Sequence, residues 1–550
     1  MAGKRTGRKG ILCRIGLGAM MLTLPGTAWA APSVSSTNPP AEAVVEKPAA
    51  SLENQSTQEG TMATDARFTL QKIQVDVKGL ELDAAALEKE TAEFCGHEIT
   101  MQELNTALQK ITAYCRRHGY PAAAAYLPSQ KSQQGVLQVK LLPGTYGEIR
   151  LENGSRLKDD TAKGLMHGLH TGEIIRAKGL ETVLYNLTGL GGIQAAGLLN
   201  PGKEVGSSDL TIRLKDGRQA SYILYSENYG STTSGRYRYG LQAVWPELAR
   251  VGDSLRFTGL VSNHDLKNYS LSCELPVGHD GTKVGLSMSR MDYELGGVLR
   301  MVGAKGKADT ISLYAATPLW QTYDSSQFIN YGLDYRALSD ELASYGYHAK
   351  KHSYAFHAGV SGMQRSGRGI LNYDLTASTG TLGMDSDYAR LLDSYSHTSG
   401  RYTKAVLNLN GQYGIDERWD VQLRFQGQKA SRDLDSSEEI YLGGANAVRA
   451  YPQGEGSGDE GWQGTIELRF HTGLPGLSLS TYFDSGHVRL AKDGTSGGET
   501  LQGWGIGVTY SQPGSWFARF DYARRIGLCA NASEEAKAHG RMWFMIGKVW

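Results

Sequence analysis

From about Arg218 to Trp550 the chain alternates apolar and polar residues with a period of two, and no helical period competes with it. Tyr237, Tyr239, Leu241 and Ala243 alternate with Arg236, Arg238, Gly240 and Gln242; Trp504, Ile506, Val508 and Tyr510 alternate with Gly503, Gly505, Gly507 and Thr509. Successive side chains of a strand point to opposite faces, so this pattern means strands with one apolar face. Two architectures remain open: a soluble sandwich with that face inward, or a membrane barrel with it outward. The ends of the runs favour the barrel. Many begin or end on Tyr or Trp, as side chains at a membrane boundary do. Met542, Phe544, Ile546 and Trp550 share one face of the terminal strand, interrupted by Lys548, whose stem can reach water near a strand end.

Composition agrees. With 69 Gly, 29 Tyr and only 15 Pro, the 550 residues suit many strands joined by turns. A net charge of +1, without a basic stripe interleaved with aromatics, gives no footprint for nucleic acid. Beyond the N-terminus no stretch approaches the 18 or so apolar residues of a membrane helix, and a mean hydropathy of −0.36 fits a barrel whose faces alternate. Lys4, Arg5, Arg8, Lys9 and Arg14 precede the apolar run Ile15 to Leu24 and then Ala28-Trp29-Ala30, so residues 1–30 read as a secretory signal peptide. Residues 31–66, rich in Ala, Pro, Ser, Glu and Gln, read as a linker, or as a plug segment that orders only when docked.

Residues 67–217 have a different texture. Arg67 to Val77 reads as strand, Leu82 to Phe94 as a helix capped by Asp83, and Thr100 to His118 as a second helix with a Thr100/Glu103 capping box and Gly119 as its stop. Strands follow at Tyr120 to Leu127 and Gly135 to Leu142. The order repeats as strand 147–151, helices 157–169 and 176–187, and strands 193–199 and 209–214. Two such copies, 67–144 and 145–217, resemble POTRA (polypeptide-transport-associated) domains. Cys95 and Cys115 fall where a helical hairpin could bring them together, as a disulfide or as two free thiols.

The most specific text lies in Tyr441 to Trp462, with Val448-Arg449-Ala450-Tyr451 at its centre, and in Tyr482-Phe483-Asp484-Ser485-Gly486 downstream. Counting parity from Leu477, Leu479, Thr481 and Phe483 puts Tyr482, Asp484 and Gly486 on the opposite face, with Glu467 and Arg469 inward by the same count. Arg449 on a surface loop and Asp484 in an ordinary turn is the alternative. The two motifs, in this order and spacing, resemble the lumen-penetrating loop (about 429–462) and inner-wall motif of two-partner secretion transporters, the haemolysin and adhesin exporters of the outer-membrane assembly-factor superfamily. That resemblance implies an all-β transmembrane barrel of about 16 antiparallel strands over 218–550, preceded by two small α+β POTRA domains. It implies that Arg449 meets Asp484 inside the lumen, with Glu467 and Arg469 as possible extensions of the contact. Ala450, where the motif also takes Gly, favours export over barrel assembly.

The resemblance further implies an outer-membrane pore of a Gram-negative cell, its POTRA domains in the periplasm. Its partner would be a secreted β-helical exoprotein with an N-terminal secretion domain, caught on an extended edge for which Tyr120, Tyr126 and Leu127 are candidates. Outer-membrane lipids and the barrel assembly machinery are the other expected partners. An assembly factor and a passive porin with periplasmic domains are the alternatives. No HExxH, GxSxG or Walker loop is present, and the cysteines lack metal spacing, so no catalytic residue, cofactor or metal is expected.

Overall fold

The computed structural model describes residues 51–54, 67–130, 134–489, 492, 497–527 and 532–550. The expected signal peptide and most of the expected linker lie outside them. The described strands and helices before the barrel are β1 (Ser51–Asn54), β2 (Arg67–Leu70), β3 (Lys72–Asp76), α1 (Ala84–Glu90), β4 (His97–Thr100), α2 (Met101–Arg117), β5 (Ala124–Tyr126) and β6 (Val136–Leu142). These are followed by β7 (Thr145–Gly154), α3 (Asp159–Leu165), α4 (Ala177–Thr188), β8 (Ile193–Pro201) and β9 (Ser207–Asp216).

The first α+β unit packs α1 and α2 on a sheet of order β3-β6-β5, with β2 and β4 paired beside it. Asp83 caps α1 by accepting from the Ala85 N–H at 2.9 Å, and α2 carries both arms of the Thr100/Glu103 box. Leu104, Ala107, Ile111 and Cys115 of α2 form the stripe that enters the core with Leu70, Ile73 and Val139. Two expectations are corrected here. Tyr120 is not on an edge: it is buried in that core, and its hydroxyl accepts the Glu81 N–H at 2.8 Å. The edge strand holds only Ala124–Tyr126, because Pro121 and Pro128 flank it and a proline cannot donate to a ladder. Cys95 and Cys115 are both free. The Cys95 thiol turns back toward the Thr91 carbonyl at 3.6 Å, while Cys115 faces the helix-packed core, where burial pushes its thiol up.

The second unit packs α3 and α4 on a sheet of order β1-β8-β9-β7, with Leu180, Leu184 and Leu187 of α4 against Ile193, Leu210 and Ile212. Its α4 docks on the turns at one end of the barrel. Asn186 donates to the Asp280 carbonyl at 3.2 Å and accepts from Gln321 at 2.6 Å; Glu181 accepts the Tyr323 N–H at 3.0 Å; the Lys178 ammonium lies 4.2 Å from the Trp320 ring centre. In the first of these turns Glu247 is buried and accepts a single bond from the Gly252 N–H at 3.3 Å, so desolvation holds its carboxyl up at about 7. A folded value above the ordinary 4.5 means the folded turn binds the extra proton, so its stability falls as pH rises from about 4.5 to 7. Glu247→Gln is expected to flatten that slope, measured as amide exchange of residues 247–253 across pH 5 to 8; an unchanged slope counts against this burial.

Sixteen antiparallel strands, from Ser221–Glu227 to Gly540–Val549, close into a barrel. The first strand pairs with the last from Ile223↔Val549 to Glu227↔Met545. Outward faces carry the apolar alternation: Leu241, Met288, Leu333, Leu423, Ile506 and Ile546 are all exposed, as lipid-facing positions are. Lys548 lies 5.3 Å from the Trp516 ring centre and 4.9 Å from that of Trp550, so its stem lies along the terminal aromatics. No described helix is long and apolar enough to cross a membrane, which says nothing of strands. Strands 304–321, 325–342, 347–366 and 369–384 run to 16–20 residues, against the roughly ten a membrane needs, so this side of the wall rises past it.

Candidate functional site

Between the strands Trp419–Ala430 and Glu460–His471 the chain leaves the wall and folds back into the lumen. A two-residue ladder, Ile440–Tyr441 with Ser457–Gly458, makes the loop a narrow double strand. Its tip is closed by backbone bonds from the Leu442 N–H to Gly456 O at 2.9 Å and from the Val448 N–H to Leu442 O at 2.7 Å. Gly443 is required by this closure, since a Cβ there would stand 2.4 Å from the Pro452 carbonyl oxygen; Gly444 has φ +135°, a conformation side chains rarely adopt.

Val448, Arg449, Ala450 and Tyr451 are all buried, and Arg449 is 0% exposed. The guanidinium forks onto Asp484, Nε to Oδ2 at 2.9 Å and Nη2 to Oδ1 at 2.8 Å, and the Arg449 backbone N–H adds a third bond to Oδ2 at 3.1 Å. Its Nη1 donates to Glu467 at 3.0 Å and to Asp521 at 3.2 Å, the Tyr482 ring lies 3.1 Å beneath it, and the Trp543 indole donates to its carbonyl at 2.7 Å. Thr465 completes Asp484 with a bond of 2.9 Å. Arg519 binds Asp521 at 2.6 Å and Glu467 at 3.2 Å, and Arg424 stands 3.8 Å from Glu467. Three carboxylates thus face three guanidiniums. That neutrality permits the cluster to sit away from water, where an unpaired charge is costly.

Parity put Tyr482, Asp484, Gly486 and Glu467 on the lumen face, and the structure brings all four to the loop. A Cβ on Gly486 would stand 2.7 Å from the Leu442 side chain, so this glycine makes room for the loop. Arg469 is not part of the group. It shares the face but lies two residues further along its strand from Glu467, about 7 Å away, and binds Asp420 at 2.7 and 2.9 Å. Sequence reasoning missed Asp521, Arg519, Arg424 and Trp543. Their signal was present in the same parity, since Phe517, Arg519, Asp521 and Ala523 alternate with outward Trp516, Phe520 and Tyr522.

The strand Gly498–Ser511 contributes a bare strip. A Cβ on Gly503 would lie 2.5 Å from the Ala450 methyl, and one on Gly505 would lie 2.5 Å from the Tyr482 ring. The loop stem is held by the opposite polarity. Glu438 takes Lys404 at 2.7 Å, Tyr402 at 3.2 Å and Arg336 at 3.4 Å, and Asp435 takes Lys351 at 2.7 Å. An acidic stem on a basic wall and a basic tip on an acidic wall fix the loop across the lumen in one orientation.

Comparison with known proteins follows this geometry. The family profile described as haemolysin secretion/activation protein ShlB/FhaC/HecB matches residues 206–510, and the profile of the ShlB-type POTRA domain matches residues 68–144. The heme/hemopexin transporter protein HuxB of Haemophilus influenzae is 25% identical over 486 residues, 85% of this chain and 86% of that protein. The outer membrane transporter CdiB of Dickeya dadantii is 22% identical over 463 residues, 80% of each. Among solved structures, CdiB from Escherichia coli superposes with a TM-score of 0.67 at 19% identity, over 90% of this chain and 92% of that one, a likeness of fold.

Proposed function

The chain belongs to the haemolysin secretion/activation protein ShlB/FhaC/HecB family, and on that premise we propose that the seated loop is the latch of a protein-conducting pore. The protein is a two-partner secretion transporter of the outer membrane, its POTRA region in the periplasm, and it passes a secreted partner protein outward. In our reading the cargo is a β-helical exoprotein with an N-terminal secretion domain, delivered unfolded. Arg449 and Asp484 hold the loop across the lumen at rest, and cargo arriving from the periplasmic side displaces it. Outer-membrane lipids surround the exposed apolar faces, and the barrel assembly machinery inserts the chain through its terminal strand. No step in this reading needs a catalytic residue or cofactor.

The observation that carries the latch is the fully buried Arg449 with its three carboxylate partners. A loop resting passively in solvent would not be built around a neutral cluster of six charges. Deleting the gene is expected to remove one large secreted protein from the medium, restored by the cloned gene, with porin levels unchanged. Loss of porins with an unchanged medium would instead indicate an assembly factor.

A further inference from the structure

The outward face of the tall side of the wall is not uniform. One row of paired residues crosses it as Ile311↔Tyr335, Tyr335↔Tyr354, Tyr354↔Thr381 and Thr381↔Arg401. Along that row the side chains change from large and mostly apolar to small, and then to a cation. The result is a groove of about 410 Å³, a size that suits a small ligand or one chain of a larger one. Leu313, Leu333 and Phe356 extend the wall made by Ile311, Tyr335 and Tyr354. Thr379 and Thr381 on the next strand leave the space, and Arg401 stands on the strand beyond. Tyr335 and Tyr354 pack with ring centres 5.0 Å apart, and His352, fixed by Asp385 at 2.7 Å, meets Tyr354 edge-on at 5.5 Å. The wall is therefore held upright beside the small residues.

The level of the groove follows from strand length. Helix α4 bonds to the turn between strands 304–321 and 325–342, which marks that end as periplasmic. Roughly ten residues cross a membrane, and that count from the same end brings strand 325–342 to Tyr335 and strand 369–384 to Thr379. The groove thus lies at the outer boundary of the bilayer, where aromatic rings gather among headgroups. Arg401 is exposed there, and among the described residues its side chain has no hydrogen bond or ion pair. The nearby outward carboxylates are engaged elsewhere, Asp309 with Arg290 at 3.8 Å and Asp385 with His352. A guanidinium on a lipid-facing wall is costly at the midplane and tolerated at the boundary. Its fork fits a phosphate.

We propose that this groove binds one phosphorylated, acylated glycolipid of the outer leaflet, lipid A, with an acyl chain between the Tyr335/Tyr354 wall and Thr379 and a phosphate on Arg401. The two features select the ligand together. A trough alone would take any hydrocarbon, and a cation alone would meet any anionic headgroup. The level of the groove selects the outer leaflet. The inference rests on the outer-membrane placement of the barrel and is independent of the latch. The bound lipid fills the gap that small side chains leave in an otherwise bulky wall.

The test uses the full-length chain in detergent, with bound lipid counted by native mass spectrometry. Purified lipid A is expected to bind one to one, and at least tenfold more tightly than dephosphorylated lipid A or phosphatidylglycerol. Arg401→Ala is expected to weaken lipid A binding at least tenfold. Thr379→Trp, which fills the trough with a residue welcome at a membrane boundary, is expected to do the same while leaving Arg401 in place. Arg290→Ala removes a cation from the same face outside the groove and is expected to leave binding unchanged; heat-modifiability checks that every variant is a closed barrel. Equal loss from Arg290→Ala and Arg401→Ala would mean a general basic belt and overturns the site. Unchanged binding in Thr379→Trp overturns the trough, and phosphatidylglycerol binding as tightly as lipid A overturns the assignment to the outer leaflet. None of these outcomes depends on whether the chain exports a partner, so the site and the transporter reading fail separately.

Discussion

Asp484→Ala is expected to lower release of the secreted partner at least tenfold while leaving an inserted, heat-modifiable barrel. The cluster holds Arg424, Arg449 and Arg519 against Glu467, Asp484 and Asp521, so removing one carboxylate leaves one positive charge without compensation. Breaking a buried pair from one side costs about 3–5 kcal/mol, and here the loop can escape that cost by leaving its seat. Arg449→Ala is expected to do the same with the opposite sign of residual charge. Arg449→Lys should rescue little, because an ammonium cannot fork onto Asp484 while reaching Glu467 and Asp521. The double variant Arg449→Ala/Asp484→Ala separates charge from latch. It restores two cations against two anions, so barrel stability should recover relative to either single change, yet release should stay low because nothing holds the tip. Wild-type release from the double variant would refute the latch.

Gly503→Ala is expected to unseat the same tip without touching a charge. The added methyl would stand 2.5 Å from the Ala450 methyl and 3.2 Å from the Arg524 carbonyl oxygen, and overpacking of this kind costs about 1–3 kcal/mol. Transferring the methyl across the contact, as Gly503→Ala/Ala450→Gly, returns the volume to its original total. Release measured for the two singles and the double should therefore show rescue in the double. Additive defects would mean that Ala450 does not lie on Gly503 in the working protein.

Much of this was legible in the sequence because a barrel strand has a period of two. Parity alone put Asp484 and Glu467 inside, and motif order linked Arg449 to Asp484. Parity does not give height along the strand, which is why Arg469 was grouped with Glu467 when it belongs with Asp420. Nor does it say which strands neighbour the loop tip: Asp521 and Trp543 lie 72 and 94 residues from Arg449 and reach it only through barrel closure. The stem contacts of Asp435 and Glu438 with Lys351, Lys404 and Arg336 were hidden for the same reason. In the first unit the capping box fixed α2 to within a residue, whereas Tyr120 looked like strand because its β propensity was legible and its burial under Glu81 was not. The pairing of Ser51–Asn54 had no signal in composition, since a polar segment that borrows an edge has the texture of a linker.

The seating of the loop can be read directly as thiol accessibility. Val448 is 0% exposed at the tip, so Val448→Cys, with Cys273 and Cys529 replaced by Ser, can be challenged with a membrane-impermeant maleimide on intact cells. Ser344→Cys, in an exposed turn at the barrel end away from the α+β units, is the accessible reference. The account predicts that Val448→Cys stays unlabelled while Ser344→Cys reacts fully, and that adding Asp484→Ala brings the two rates together. Labelling of Val448→Cys at the rate of Ser344→Cys in the otherwise intact chain would contradict it.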